Sequence, residues 1–74
     1  IPAKHFVTRR TTPGNPFGPH THDNPELWFI LEGRAVVNLA GADHPVEKGD
    51  LVVIDPRVEH GLRTDAEVLW ICLG

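Results

Sequence analysis

The sequence predicts an all-β fold of antiparallel strands, closed into a sandwich or a barrel. Short segments rich in branched and aromatic residues alternate with clusters of Gly, Pro, Asn and Asp, and these turn signals recur about every 8–12 residues. No segment shows a sustained helical period of apolar residues. A chain of 74 residues makes at most one domain, so we expect residues 1–74 to form a single small β-domain.

The first twenty residues predict one strand and then an irregular approach to the main sheet. The segment "HFVTRR", residues 5–10, has the composition of a short strand. The segment "TTPGNPFGP", residues 11–19, contains too many Pro and Gly residues for a helix. We therefore expect residues 11–19 to be irregular or extended.

Two apolar segments predict the next two strands. They are "ELWFIL" (26–31) and "AVVNLA" (35–40), with a tight turn at residues 32–34 between them. Successive side chains of a strand point to opposite faces, so residues 26–31 divide into two sets. The inward set is expected to be Glu26, Trp28 and Ile30, and the outward set Leu27, Phe29 and Leu31.

The remaining sequence predicts three more strands. The segment "LVVI" (51–54) follows "HPVEKGD", which is either a short strand or a turn, and "HGLRT" (60–64) and "VLWICLG" (68–74) supply the others. Several strands are apolar on both faces, and the chain is too short to cover the second face itself. A second subunit is the simplest cover, so we expect a homodimer. The alternative is that terminal strands of a longer chain cover these faces.

The composition excludes several classes of protein. The formal net charge is −3, whereas a nucleic-acid-binding domain normally carries a basic face, so we expect no nucleic-acid partner. No apolar stretch approaches the ~18 residues of a membrane helix, and no segment resembles a signal peptide. The single cysteine, Cys72, allows no intrachain disulfide, which fits a cytoplasmic location. The sequence begins at Ile1 and contains no methionine, so we expect a fragment, or the ordered part, of a longer chain.

Two histidines and a glutamate stand at the start of the most hydrophobic segment. His20 and His22 converge if their segment is extended, and Glu26 faces the same space if the intervening "DNP" brings the chain back into register. Burying these polar groups without partners would cost several kcal/mol. A divalent metal offsets that cost, and imidazole nitrogens with one carboxylate suit Fe, Mn, Ni, Cu or Zn.

The spacing of these residues resembles the first motif of the cupin superfamily, G-x5-H-x-H-x3,4-E-x6-G. The matching positions are Gly14, His20, His22, Glu26 and Gly33. Five fixed positions within twenty residues make this resemblance specific.

The second cupin motif, G-x5-P-x-G-x2-H-x3-N, is matched in part. It begins at Gly49 and has its histidine at His60. Asp55 stands at the usual proline, Arg57 at the glycine and Thr64 at the asparagine. If the glycine position requires positive φ, Arg57 costs about 1 kcal/mol or more there. The alternatives are a loop of another shape or an arginine kept for contact with an anion.

The resemblance covers residues 14–73 and implies a double-stranded β-helix, the jelly-roll barrel of cupins. It also implies one metal ion held by His20, His22, Glu26 and His60. Beside these ligands, we expect four residues to line a small-molecule pocket. They are Trp28, Ile30, Leu62 and Arg57.

Four protein ligands would leave one or two positions open on a five- or six-coordinate metal, as a catalytic site requires. A substrate with neighbouring oxygens would chelate the metal there. Because the inner wall is mostly apolar, we expect a small-molecule metalloenzyme and slightly favour oxygenase-type chemistry. Two alternatives stay open: a metal-dependent isomerase or decarboxylase, and a non-catalytic cupin that binds or senses a small ligand.

Overall fold

The computed structural model describes residues 5–74, and these residues form seven β-strands. In chain order the strands are β1 (Phe6–Thr11), β2 (Phe17–His20), β3 (Glu26–Leu39), β4 (Ala42–Glu47), β5 (Leu51–Ile54), β6 (His60–Arg63) and β7 (Val68–Leu73). The predicted all-β class is confirmed, and the approach predicted as irregular or extended contains strand β2. The described residues include no helix long and apolar enough to cross a membrane.

The long strand β3 belongs to two antiparallel sheets. Its first half pairs with β7 on one side and β5 on the other, and β1 extends this first sheet beyond β7. Its second half pairs with β4 and β6, and β2 extends this second sheet beyond β6. The two sheets face each other across one core, which confirms the double-stranded β-helix.

Gly33 makes the bend at which β3 passes from the first sheet to the second. Its φ is +85°, and a Cβ at this position would lie 2.3 Å from the backbone oxygen of Glu67. Just before it, the pairing with β7 shifts register between Ile30 and Glu32, which leaves Leu31 as a bulge. The prediction of a tight turn at residues 32–34 is therefore wrong. Glycine permits a bend and a close approach of two strands here, and the chain does not reverse.

The core lies between the two sheets and is almost entirely apolar. Its buried side chains are Trp28, Ile30, Ala35, Val37, Val52, Ile54, Leu62, Val68, Trp70 and Cys72. The ring centroids of Trp28 and Trp70 are 4.6 Å apart, and Phe17 stands edge-on to both rings. The predicted alternation is confirmed in β3, where Trp28 and Ile30 are buried while Leu27 and Phe29 are exposed.

The outer face of the first sheet is apolar. Two rows of paired residues cross its four strands, and every member except Thr8 is apolar. The rows are Phe6, Leu73, Leu27 and Val53, and then Thr8, Ile71, Phe29 and Leu51. We call these two rows the apolar face. The outer face of the second sheet instead carries Arg34, Asn38, Asp43, Glu47 and Arg63.

Candidate metal centre

Three histidines and one glutamate meet between the two sheets. His20 ends β2 and lies opposite His60, which begins β6. Glu26 begins β3, and His22 lies in the connection between β2 and β3. One ring nitrogen from each histidine lies within 4.8 Å of the other two. The structure thus brings the three predicted histidines into a cluster that can bind a metal ion.

Each histidine ring is oriented by the backbone next to it. Nδ1 lies within hydrogen-bond distance of a backbone carbonyl two residues away, at 3.1 Å in His20, 2.7 Å in His22 and 2.7 Å in His60. Because a carbonyl oxygen can only accept, Nδ1 carries the proton in all three rings. In a neutral ring this leaves the lone pair on Nε2, which is the atom through which such an imidazole can bind a metal.

The Nε2 atoms of the three rings face one another. Those of His20 and His60 are 3.1 Å apart. Nε2 of His22 is buried and has no hydrogen-bond partner within residues 5–74, although Oε2 of Glu26 is 2.6 Å away. In neutral rings protonated at Nδ1 these atoms are all acceptors, which repel one another at such distances, and each buried unpartnered group costs about 1–3 kcal/mol. A cation among them would satisfy these groups together.

Glu26 presents its two carboxylate oxygens to different neighbours. Oε1 accepts hydrogen bonds from Nε1 of Trp28 at 2.6 Å and from Sγ of Cys72 at 3.1 Å. Burial acts to raise the pKa of Glu26, but the donors Trp28 and Cys72, together with the nearby histidines, bring this pKa below its ordinary value. The carboxylate is therefore ionised at neutral pH and places a negative charge beside the histidine cluster.

Burial also sets the protonation states of His60 and Cys72. It lowers the pKa of His60 and outweighs the carbonyl of Val58, so this ring is neutral at pH 7. Burial first, and then contact with Glu26, raise the pKa of Cys72 to about 11. The thiol keeps its proton and donates to Glu26.

The connection between β5 and β6 contains a turn in which Arg57 occupies the glycine position of the second motif. Arg57 has a φ of +63°, which costs a non-glycine residue about 1 kcal/mol or more. Its backbone N–H donates to the carbonyl of His22 at 2.8 Å, so this turn supports the connection that carries a site histidine. The Arg57 side chain is exposed, and its contact with an anion stays a prediction.

The residues predicted to line a pocket lie in different surroundings. Trp28, Ile30 and Leu62 are buried in the core, and the Trp28 ring lies 5.4 Å from the His60 ring between centroids. A cavity of about 560 Å³ lies elsewhere, along the second half of β3, β4 and residues 63–65. None of the four predicted residues lines that cavity, so their role in a pocket stays a prediction.

Of the two donors to Glu26, Trp28 was predicted only as a pocket-lining residue, and Cys72 was not predicted as a site residue. Trp28 shares a strand face with Glu26, so period-two spacing alone was a usable signal for this contact. Cys72 reaches Glu26 because it pairs with Trp28 across β3 and β7. That pairing joins distant parts of the chain, and no local pattern specifies it.

Two solved structures share the fold over nearly the whole chain. A predicted oxalate decarboxylase from Thermotoga maritima matches with a TM-score of 0.87 and 26% identity, covering 96% of this chain and 64% of that one. A Cupin 2 conserved barrel domain protein from Salinispora arenicola matches with a TM-score of 0.82 and 28% identity, covering 92% of this chain and 59% of that one.

Similarity in sequence extends over the same residues. The oxalate-binding protein of Thermotoga maritima is 30% identical over 76 residues, which include 96% of this chain and 63% of that protein. The chain thus spans less than two thirds of the length of this curated relative. The family model described as cupin domain matches residues 8–74. Because this match takes in most of the sequence, and because the fold agrees with it, the chain belongs to the cupin domain family.

Proposed function

We propose that the chain binds one divalent transition metal through Nε2 of His20, His22 and His60 and through Glu26. The observation that carries this proposal is the convergence of one ring nitrogen from each of three histidines beside an ionised carboxylate. Three neutral imidazoles and one carboxylate suit Fe, Mn, Ni, Cu or Zn. The Nε2 atoms of His20 and His60 lie 3.1 Å apart, close enough for one cation to bind both.

We infer that the site takes a small carboxylate ligand, with oxalate as the first to test. The Thermotoga maritima matches support this chemical class, since the match in sequence is named an oxalate-binding protein and the match in structure a predicted oxalate decarboxylase. A bound metal would act as a Lewis acid with open positions for neighbouring carboxylate oxygens. The chain's own residues hold the four ligands and, through Trp28 packed against His60, exclude water from that side.

Decarboxylation is the reaction that a relative's name supports. The oxygenase-type chemistry slightly favoured by the apolar inner wall, isomerisation, and binding without catalysis remain predictions. Incubating the metal-loaded protein with oxalate distinguishes decarboxylation, oxygenase-type chemistry and binding without catalysis. Decarboxylation releases one CO2 and one formate per oxalate, oxygenase-type chemistry consumes O2, and a non-catalytic cupin leaves oxalate bound and unchanged. Isomerisation requires a different ligand and is tested with a keto acid or a sugar.

Elemental analysis of the purified chain tests the metal site. We expect close to one equivalent of a transition metal in the wild-type chain and little in His22→Ala. His44→Ala is the matched control, because His44 on β4 is exposed and lies outside the cluster. Equal metal content in the two variants would contradict the proposed ligand set.

Calorimetric titration tests the ligand. We expect oxalate to bind the metal-loaded chain and to bind the chelator-treated chain at least tenfold more weakly, because the metal supplies open positions for the carboxylate oxygens. Equal binding with and without metal would place the ligand away from the four site residues.

We also propose that the chain forms a homodimer through the apolar face. Leu51, Val53 and Phe6 on this face are 58%, 60% and 65% exposed, and exposed apolar rows of this kind mark interaction surfaces. Sedimentation equilibrium of the chain tests this proposal, and a monomer at tens of micromolar would contradict it. A cytoplasmic location and the absence of a nucleic-acid partner remain predictions from the composition.

A further inference from the structure

We propose that Trp28 and Cys72 together fix Oε1 of Glu26, so that the carboxylate offers only Oε2 to the metal. We call this pair of donors the carboxylate clamp. The inference rests on the metal site proposed above and assigns its two residues a positioning role. Neither side chain is placed at the metal itself.

Both members of the clamp reach the same oxygen atom. Nε1 of Trp28 donates to Oε1 at 2.6 Å, and Sγ of Cys72 donates to it at 3.1 Å. The two residues are paired directly across β3 and β7, so hydrogen-bonded neighbouring strands hold them in place. Trp28 is 0% exposed and Cys72 is 1% exposed, so water does not compete for these donors.

The clamp decides which carboxylate oxygen faces the cluster. Oε2 lies 2.6 Å from Nε2 of His22, whereas Oε1 lies 4.0 Å from Nε2 of His60. Binding the metal through both oxygens would require Oε1 to leave two buried donors unpaired, at a cost for each of them. One-oxygen binding also leaves a further position free at the metal, which a chelating dicarboxylate requires.

The second buried tryptophan is a matched control. Trp70 is also fully buried, and its Nε1 donates to Oγ1 of Thr11 at 3.0 Å. Trp28→Phe and Trp70→Phe each remove one indole N–H from the same core, but only the first change releases Oε1 of Glu26. A loss of affinity that came only from a weakened core would appear in both variants.

Titration with Co²⁺ tests the clamp, because its visible absorption reports coordination number as well as binding. We expect Trp28→Phe to bind Co²⁺ about 10–100-fold more weakly than the wild-type chain. Its spectrum should change as the released carboxylate turns towards two-oxygen binding. Trp70→Phe should keep the wild-type spectrum and an affinity within about twofold. Cys72→Ala should show a smaller loss, and Cys72→Ser, which restores a donor, should recover it.

The chain has one cysteine, so the S–H stretching band in the infrared reports Cys72 alone and needs no metal. We expect this band at lower frequency in the folded chain than in the urea-unfolded chain, because the thiol donates to a carboxylate. A band at the unfolded frequency, or equal Co²⁺ affinities and spectra in the two tryptophan variants, would overturn the clamp. A wild-type chain with a shifted band that binds no Co²⁺ would instead overturn the metal site, and with it the role of the clamp towards a metal.

Discussion

The two sheets that share β3 have similar inner faces and opposite outer faces. Both contribute large apolar side chains to the same core. On the outside, the first sheet presents the apolar face, whereas the second presents charged groups that pair with one another, as Asp43 does with Arg63. Inward alternation is therefore common to both sheets and explains the fold. The outer faces differ because the first exposes apolar side chains to water and the second exposes charged ones.

The candidate metal centre depends on both sheets at once. His20 and His60 come from the second sheet, and Glu26 comes from the first. A change in the angle between the sheets would move Glu26 relative to the two histidines. Because β3 belongs to both sheets, its bend at Gly33 sets the angle between them. The bend therefore affects the geometry of the site.

The largest expected effect comes from filling the bend with a side chain. Gly33→Ala places a methyl group 2.3 Å from the backbone oxygen of Glu67 at a residue with φ of +85°. Strands β3 and β7 would have to separate, and we expect a loss of more than about 3 kcal/mol in the free energy of unfolding. A domain of this size has roughly 4–11 kcal/mol in total. Urea denaturation measures the loss.

Gly41→Ala is the control for this change. Gly41 also has φ of +85°, but a Cβ there would meet no atom within 4 Å. Its cost is therefore backbone strain alone, about 1 kcal/mol. If both variants lost the same free energy, close contact between β3 and β7 would not be what fixes the bend.

The bend also shows where the sequence stops predicting the fold. Period-two alternation is local, so it correctly placed Trp28 and Ile30 inside and Leu27 and Phe29 outside. Glycine is typical of a turn and of a bend alike, and the sequence around Gly33 does not separate the two. What separates them is the carbonyl of Glu67, a residue distant in the chain that packs against Gly33 only after folding.

The second expected effect concerns the apolar face. Phe29→Asp places a charge at the centre of the second apolar row, and we expect the dimer dissociation constant to rise about 100-fold or more because that charge would be buried between subunits. Val36→Asp introduces the same charge on the outer face of the second sheet, where Val36 pairs with Pro45. Sedimentation equilibrium should detect little change in association for Val36→Asp. Equal effects from both variants would remove the distinction between the two outer faces.

A smaller effect is expected at the crossing from β5 to β6. Arg57→Gly relieves the strain of a positive φ, and we expect the free energy of unfolding to rise by about 1 kcal/mol relative to Arg57→Ala, which keeps the strain. Thermal or urea denaturation measures the difference between the two variants. Both keep the N–H that donates to His22, so metal content should not change. If Arg57→Gly were no more stable than Arg57→Ala, backbone strain at residue 57 would be contradicted.

The candidate site also has features that local sequence spacing predicts and features that depend on contacts between distant strands. The spacing of His20, His22 and Glu26 is local. The structure brings the two histidines together with His60, and Glu26 lies beside them. The Nδ1 contacts with neighbouring carbonyls are also local, although they require the folded backbone. The thiol of Cys72 is different, since its contact with Glu26 exists only because β7 lies beside β3 in one register.

The smallest expected effect lies on the outer face of the second sheet. Arg63 donates two hydrogen bonds to the carboxylate of Asp43, and Asn38 donates another. The guanidinium of Arg63, with the amide of Asn38, lowers the pKa of Asp43 to about 2. Because this pKa is lower in the folded chain, the pair stabilises the fold above the ordinary Asp pKa near 3.8, and the contribution is lost as the pH falls from there towards 2.

Replacing Arg63 tests whether the outer face of the second sheet takes part in association between chains. We expect Arg63→Ala to return the pKa of Asp43 most of the way to its ordinary value, as followed by carboxyl chemical shifts in an NMR titration. Arg63→Lys should give an intermediate pKa, because it keeps the charge but loses the paired donors. The pair is exposed to solvent, so stability at pH 7 should hardly change. A shift in association state in either variant would mean that the second sheet also meets a partner, and the contrast between the two outer faces would fail.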